Sequence, residues 1–263
     1  MELRGATVLL TGATGGIGHA IARHLHREGA SLVLTGRRTE VLEPLAAEVG
    51  GRAVAVDLID RDAVRRLAAE CADADVLIAN AALPSSGHLF SFREEEIDRA
   101  LDVNLRAPIM LSHALGQQMA KRGRGHIVLI SSLSGKAGTP GSSIYSATKF
   151  ALRGFGQGLR ADLREDGVGV SVVFPGFIRD AGMFADANVE LPRGVGSSTP
   201  DDVAGGVVSA ITRNRAEVDV APVAMRLGAT FAGVAPQLSA TISRKLGSEK
   251  ISAEMAAGQA DKR

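Results

Sequence analysis

Tyrosine occurs once in this chain, at Tyr145, and Lys149 follows four residues later. On a helix that spacing puts the two side chains on one face, a turn apart. A free phenol titrates near pH 10, too high for efficient base chemistry at neutrality, and a neighbouring ammonium favours the phenolate. The pair therefore suggests a proton donor and acceptor, Tyr145, tuned by Lys149. Ser131 and Ser132 end an apolar run that reads as a strand, and a hydroxyl at Ser132 can donate to a carbonyl oxygen. Asn104, in Asp102-Val103-Asn104-Leu105, interrupts an otherwise helical stretch, and Asn80 directly follows another apolar run. Either asparagine can equally serve local backbone groups.

A second constellation lies near the start. Thr11-Gly12-Ala13-Thr14-Gly15-Gly16-Ile17-Gly18 follows one apolar run and precedes helically spaced Ile21, Ala22 and Leu25. Glycines at Gly12, Gly16 and Gly18 would let backbone approach a pyrophosphate, with the helix N-terminus favouring its charge and Thr14 and Ile17 in the same turn. The next apolar run ends Leu34-Thr35-Gly36-Arg37-Arg38. An acidic residue there would suit the ribose hydroxyls of NAD, but two guanidinium groups suit a 2'-phosphate, so NADP(H) is the expected cofactor, with Arg37 the stronger candidate.

These residues need a scaffold that collects them. Short β-branched runs recur at Ala6 to Thr11, Ser31 to Thr35, Arg52 to Val56, Asp75 to Ala79, His126 to Ser131 and Val168 to Phe174, separated by helical patterns such as Val64, Leu67 and Ala68. Alternating strands and helices imply βαβ crossovers, and runs such as Val76-Leu77-Ile78-Ala79 imply strands covered on both faces. The expected fold is α/β, one doubly wound Rossmann-like domain over residues 1–263 with a mostly parallel sheet of about seven strands. Ligands in such folds sit beyond the carboxyl ends of the strands, where the residues named above fall.

The glycine turn, Asn104, Ser132 and Tyr145-Ser146-Ala147-Thr148-Lys149, in this order and spacing, resemble the short-chain dehydrogenase/reductase family from about Ala6 through Pro175-Gly176. The resemblance implies interconversion of a carbonyl and a secondary alcohol. Tyr145 would give its proton to the carbonyl oxygen as hydride arrives from NADPH, while Ser132 holds that oxygen. By the same resemblance Lys149 binds the nicotinamide ribose and Asn104 helps position a water linking Lys149 to solvent. Asp57 and Leu58 would contact adenine, Asn80, Ala81 and Ala82 the middle of the cofactor, and Pro175, Gly176 and Ile178 its nicotinamide end. Two departures stand out. Ala79-Asn80-Ala81-Ala82 replaces the frequent Asn-Asn-Ala-Gly, and Asp180 stands where many relatives carry a threonine that bonds the carboxamide. A homodimer or homotetramer is implied as well. The competing readings are a cofactor-sensing protein without turnover and, less favoured, a sugar epimerase.

Composition narrows the rest. The 263 residues are 45% apolar and 22% charged, and 30 Lys+Arg against 29 Asp+Glu give a formal charge of +1, which argues against nucleic acid as partner. A lone cysteine, Cys71, excludes an internal disulfide, and the opening Met1 to Gly5 lacks the apolar core of a secretory leader, so a cytoplasmic location is expected. The six histidines show no metal-binding spacing, so no essential metal is expected, and Glu94-Glu95-Glu96 reads as a charged helix start. Substrate loops are expected near 83–92 and 183–199, with apolar residues around Phe177, Met183 and Phe184 favouring a hydrophobic substrate. From about residue 222, Val223, Leu227, Phe231, Val234, Leu238 and Ile242 form an amphipathic stripe, bent at Pro236. Packing against the body or another subunit is the expectation for it, ahead of a membrane surface.

Overall fold

The computed structural model describes residues 1–186, 196–245 and 248–259. The apolar runs become β1 (Thr7–Leu10), β2 (Ser31–Gly36), β3 (Arg52–Ala55), β4 (Val76–Ala79), β5 (Gly125–Ile130) and β6 (Val168–Pro175). A seventh strand, β7 (Glu217–Val220), completes a sheet ordered β3-β2-β1-β4-β5-β6-β7, with every pairing parallel. Order reverses between β1 and β4, and the carboxyl ends of those two strands open the crevice where ligands of such sheets bind.

Helices cover both faces. They are α1 (Gly16–Arg27), α2 (Thr39–Glu48), α3 (Arg61–Glu70), α4 (Glu94–Leu101), α5 (Ala107–Lys121), α6 (Ser143–Asp162), α7 (Gly182–Asp186) and α8 (Pro200–Thr212). One core joins Ile21 and Leu25 of α1, Leu42 and Leu45 of α2 and Val203, Val207 and Ile211 of α8 to one side of the sheet. The other joins Leu67 of α3 and Leu111 and Leu115 of α5 to the far side, with Leu9, Leu77, Leu129 and Phe174. This two-sided covering explains why β4, β5 and β6 are apolar at nearly every position: each residue of all three is buried. Capping follows local chemistry, since Asp60 accepts from the amides of Asp62 and Ala63 at the start of α3, and the three glutamates do open α4.

The stretch around Asn104 is helical but wide. Asp102–Arg106 forms a single π turn between α4 and α5, the kind of ladder defect that re-aims a side chain. Beyond β7 the chain continues as α9 (Val223–Val234), α10 (Pro236–Lys245) and α11 (Ser248–Gln259), with the break at Pro236 as its missing amide requires. Of the two partners expected for the tail stripe, the body or another subunit, the body covers little of it. Val223, Leu227, Val234 and Leu238 are 65%, 66%, 82% and 56% exposed, and Ala229 is the only buried residue of α9. A helical period reveals that a face exists without saying what covers it. Among the described residues no helix is long and apolar enough to cross a membrane.

Candidate active site

A cavity of about 1500 Å³ runs along the carboxyl ends of the strands, from the glycine turn to the tail helices. Its first wall is backbone. Thr11 Oγ1 accepts from the amides of Asn80 and Ala81, both at 3.1 Å, and Asn80 Nδ2 donates to the carbonyls of Thr11 and Gly12, tying the end of β4 to that of β1. Gly12 sits at φ +67°, and a Cβ there would lie 2.6 Å from Ala81 Cα. At Gly18 a Cβ would lie 2.3 Å from the Gly12 carbonyl, so both positions exclude a side chain. Asn80 thus braces the turn and also lines the opening, beside the smaller Ala81 and Ala82.

Arg37 and Arg38 line the cavity beyond β2. Arg38 donates from Nη2 to the Thr14 carbonyl at 2.6 Å, fixing its guanidinium beside the glycine turn. Arg37 is exposed and has no carboxylate within ion-pair distance among the described residues. Between them and the turn, Thr35 Oγ1 is buried without a protein partner, an unsatisfied group on the cavity wall that sequence reading passed over because a threonine in a β-branched run reads as ordinary strand. Asp57 and Leu58 follow on the neighbouring wall, Asp57 Oδ1 accepting from the Ile59 amide. A hydrogen-bonding turn at a helix N-terminus, two guanidiniums, an orphaned hydroxyl and this length of cleft fit a nicotinamide dinucleotide.

Toward the other end, Ser132, Tyr145 and Lys149 converge. Ser132 extends β5, and its Oγ accepts from the Ser134 amide at 3.1 Å. Tyr145 rises from the first turn of α6 beside the Ser132 side chain, whose hydroxyl donates to the Pro175 carbonyl at 3.5 Å. Ser131 Oγ donates to the Lys149 carbonyl at 2.9 Å, pinning α6 to β5. Lys149 Nζ donates to the Ile130 carbonyl at 2.9 Å and lies 5.6 Å from the Tyr145 ring centre.

The electrostatics differ from the expected tuning. Burial pushes the Tyr145 phenol up to about 12, and the neighbouring Ser132 hydroxyl opposes this only in part. Burial also pulls the Lys149 ammonium down to about 8. Burial is the largest cause of the Tyr145 shift and the cause of the Lys149 shift, while one Nζ donor goes to the Ile130 carbonyl.

Asn104 does not reach the cavity. It is fully buried, its Oδ1 accepting from the Leu83 amide at 2.6 Å and its Nδ2 donating to the Leu83 carbonyl at 2.9 Å. Its side chain positions the segment after Asn80. Pro175, Gly176 and Ile178 line the cavity, but Asp180 does not: at φ +69° it turns outward, 70% exposed, with a carboxylate oxygen 3.5 Å from Arg179 Nε. Its charge is held away from the opening. Of the expected substrate loops, Leu83, Pro84 and Ser86 line the cavity, as do Phe177, Met183 and Phe184, while 187–195 lie outside the described residues. Met225, Ala229 and Ala232 of α9 supply a further wall, together with Phe231 and Ile242 of the tail stripe.

The comparisons agree with this geometry. The family pattern described as short chain dehydrogenase matches residues 6–191. A ketoacyl reductase, HetN, from a Nostoc species is 38% identical over 227 residues, covering 83% of this chain and 79% of the relative. Nodulation protein G of a Rhizobium species is 39% identical, covering 68% and 76%. Among solved structures, a short-chain dehydrogenase from Sphingobium yanoikuyae in complex with NADPH superposes with a TM-score of 0.77 at 29% identity, covering 89% of this chain and 95% of its own. A sheet whose glycine turn, Ser132, Tyr145 and Lys149 line one cleft, matched over most of its length to such proteins, belongs to the short-chain dehydrogenase/reductase family of oxidoreductases.

Proposed function

We propose that this protein reduces the carbonyl of a hydrophobic substrate to a secondary alcohol with NADPH. The observation that carries the reading is that Ser132, Tyr145 and Lys149 line the same cavity as Arg37 and Arg38. When bound, the dinucleotide supplies the hydride that converts the carbonyl carbon to a carbinol. Ser132 and Tyr145 hold the carbonyl oxygen, and Tyr145 passes its proton to that oxygen as negative charge develops there. Lys149, near 8, is charged at neutrality and poised to return a proton to the phenolate.

NADPH over NADH is supported by the two arginines and by the lack of an acid after β2. The similarity to a ketoacyl reductase and to a dehydrogenase in complex with NADPH points the same way. A hydrophobic substrate is supported by Phe177, Phe184, Met225 and Phe231 on the cavity wall. The homo-oligomer implied by the resemblance is part of the reading, and exposed Leu101 and Phe150, on α4 and α6, offer apolar surface for it. The test is NADPH consumption by the purified protein across aliphatic, aromatic and acyl-chain ketones, with NADPH and NADH affinities measured alongside. Turnover of apolar ketones with tighter NADPH than NADH binding is the expected result. NADPH binding without turnover of any carbonyl would support a sensor and overturn the reductase reading.

A further inference from the structure

Ten large apolar side chains are exposed among the described residues, and six of them fall on α9 and α10: Val223, Leu227, Phe231, Val234, Leu238 and Ile242. The other four are distributed over the segments 89–101 and 150, so this pair of helices holds the main apolar patch of the surface. The charge on the same stretch is of one sign. From Ala221 to Gly247 there is no Asp or Glu, and the cations are Arg226, Arg244 and Lys245. Arg226 remains about half exposed, with its guanidinium 3.9 Å from Asp219, whose nearer partner is Lys136 at 2.6 Å.

We propose that α9 and α10 dock in the interface of an anionic lipid bilayer, with their apolar side chains among the acyl chains and Arg226 and Arg244 toward the headgroups. Amphipathic helices that lie in the plane of a membrane combine an apolar face with cations, and these two are too short to span one. A second copy of the chain is the weaker occupant. A two-fold contact through the same patch would bring Arg226 and Arg244 of both copies together with no acid on these helices to offset them. It would also cover helices that form one wall of the cavity, through Met225, Phe231 and Ile242. Docked on lipid, that wall lies at the membrane surface, where an apolar substrate could enter. Substrate entry rests on the reductase reading, whereas docking does not.

The chain has no tryptophan, so a single Val234→Trp substitution gives a clean optical reporter at an exposed position away from the cavity. The full-length variant would be mixed with phosphatidylcholine vesicles with and without phosphatidylserine, with brominated acyl chains as quenchers. The expected result is strong quenching that requires phosphatidylserine and weakens as salt is raised. In the wild-type tryptophan-free background, vesicle co-sedimentation should fall by roughly a hundredfold in affinity on Leu227→Glu with the thermal midpoint unchanged. Indole fluorescence of the Val234→Trp variant that stays unquenched would overturn the proposal, as would binding equal in Leu227→Glu. A dimer in lipid-free sedimentation that Leu227→Glu dissociates would assign the patch to a second copy instead. None of these readouts depends on NADPH or turnover, so failure of docking leaves the reductase reading standing.

Discussion

The two ends of the cavity are built on opposite plans. At the nucleotide end the wall is backbone, closed so tightly that Gly12 and Gly18 have no space for a Cβ, and the Thr11 hydroxyl and the Asn80 side-chain amide are spent on neighbouring backbone. At the tail end the wall is a pair of helices that are mostly exposed, where Gly228 would meet nothing with an added Cβ. One end is fixed by the sheet, and its chemistry tolerates no change of shape. The other rests lightly on the sheet and can vary, which suits a fixed cofactor facing a variable substrate.

The largest effect should come from acid, acting on the sheet that carries both ends. His126 lies in β5, buried, with Nε2 2.8 Å from Ser171 Oγ, and burial pulls its pKa down to about 3. The unfolded chain takes up this proton below about 6.5 and the folded chain does not. Stability is therefore unaffected above that pH and falls as pH drops from 6.5 toward 3, by about 5 kcal/mol from this group. Denaturant titrations from pH 7 to 4 on wild type and His126→Gln should show a shallower loss in the variant, and parallel curves would refute the assignment.

Gly12→Ala comes next, with about 3 kcal/mol of destabilisation expected from the left-handed backbone and the collision with Ala81. A drop in the thermal midpoint reads it directly, and an unchanged midpoint would mean that the nucleotide end is looser than described. Arg37→Ala should weaken NADPH binding roughly ten- to a hundredfold and leave NADH binding nearly unchanged. Equal losses for both cofactors, by calorimetry, would remove the phosphate contact from the account. The smallest effect is Gly228→Ala, where filling open space in a helix should add up to about 1 kcal/mol of stability.

Much of this was legible beforehand for a physical reason. Strands buried on both faces are written as unbroken apolar runs, and a turn that forbids side chains is written as glycine, so six strands and the cleft they frame stand out. β7 did not, because Glu217-Val218-Asp219-Val220 is short and half-polar, with its acids paired to Lys136 and Arg153. The spacing of Tyr145 and Lys149 told which side chains meet, yet the direction of the phenol shift depends on desolvation, which spacing does not record. Asn104 was correctly seen to break a helix, but its partner Leu83 lies 21 residues away and only the folded chain shows it.

The central claim is that Tyr145 gives the proton in carbonyl reduction. Its most direct test is Tyr145→Phe, measured for kcat/KM on an apolar ketone and for NADPH affinity in the same preparation. The account predicts a loss of about a thousandfold in kcat/KM with NADPH affinity within about twofold of wild type. Turnover retained within tenfold would contradict it, because the cavity holds no second phenol to take the role.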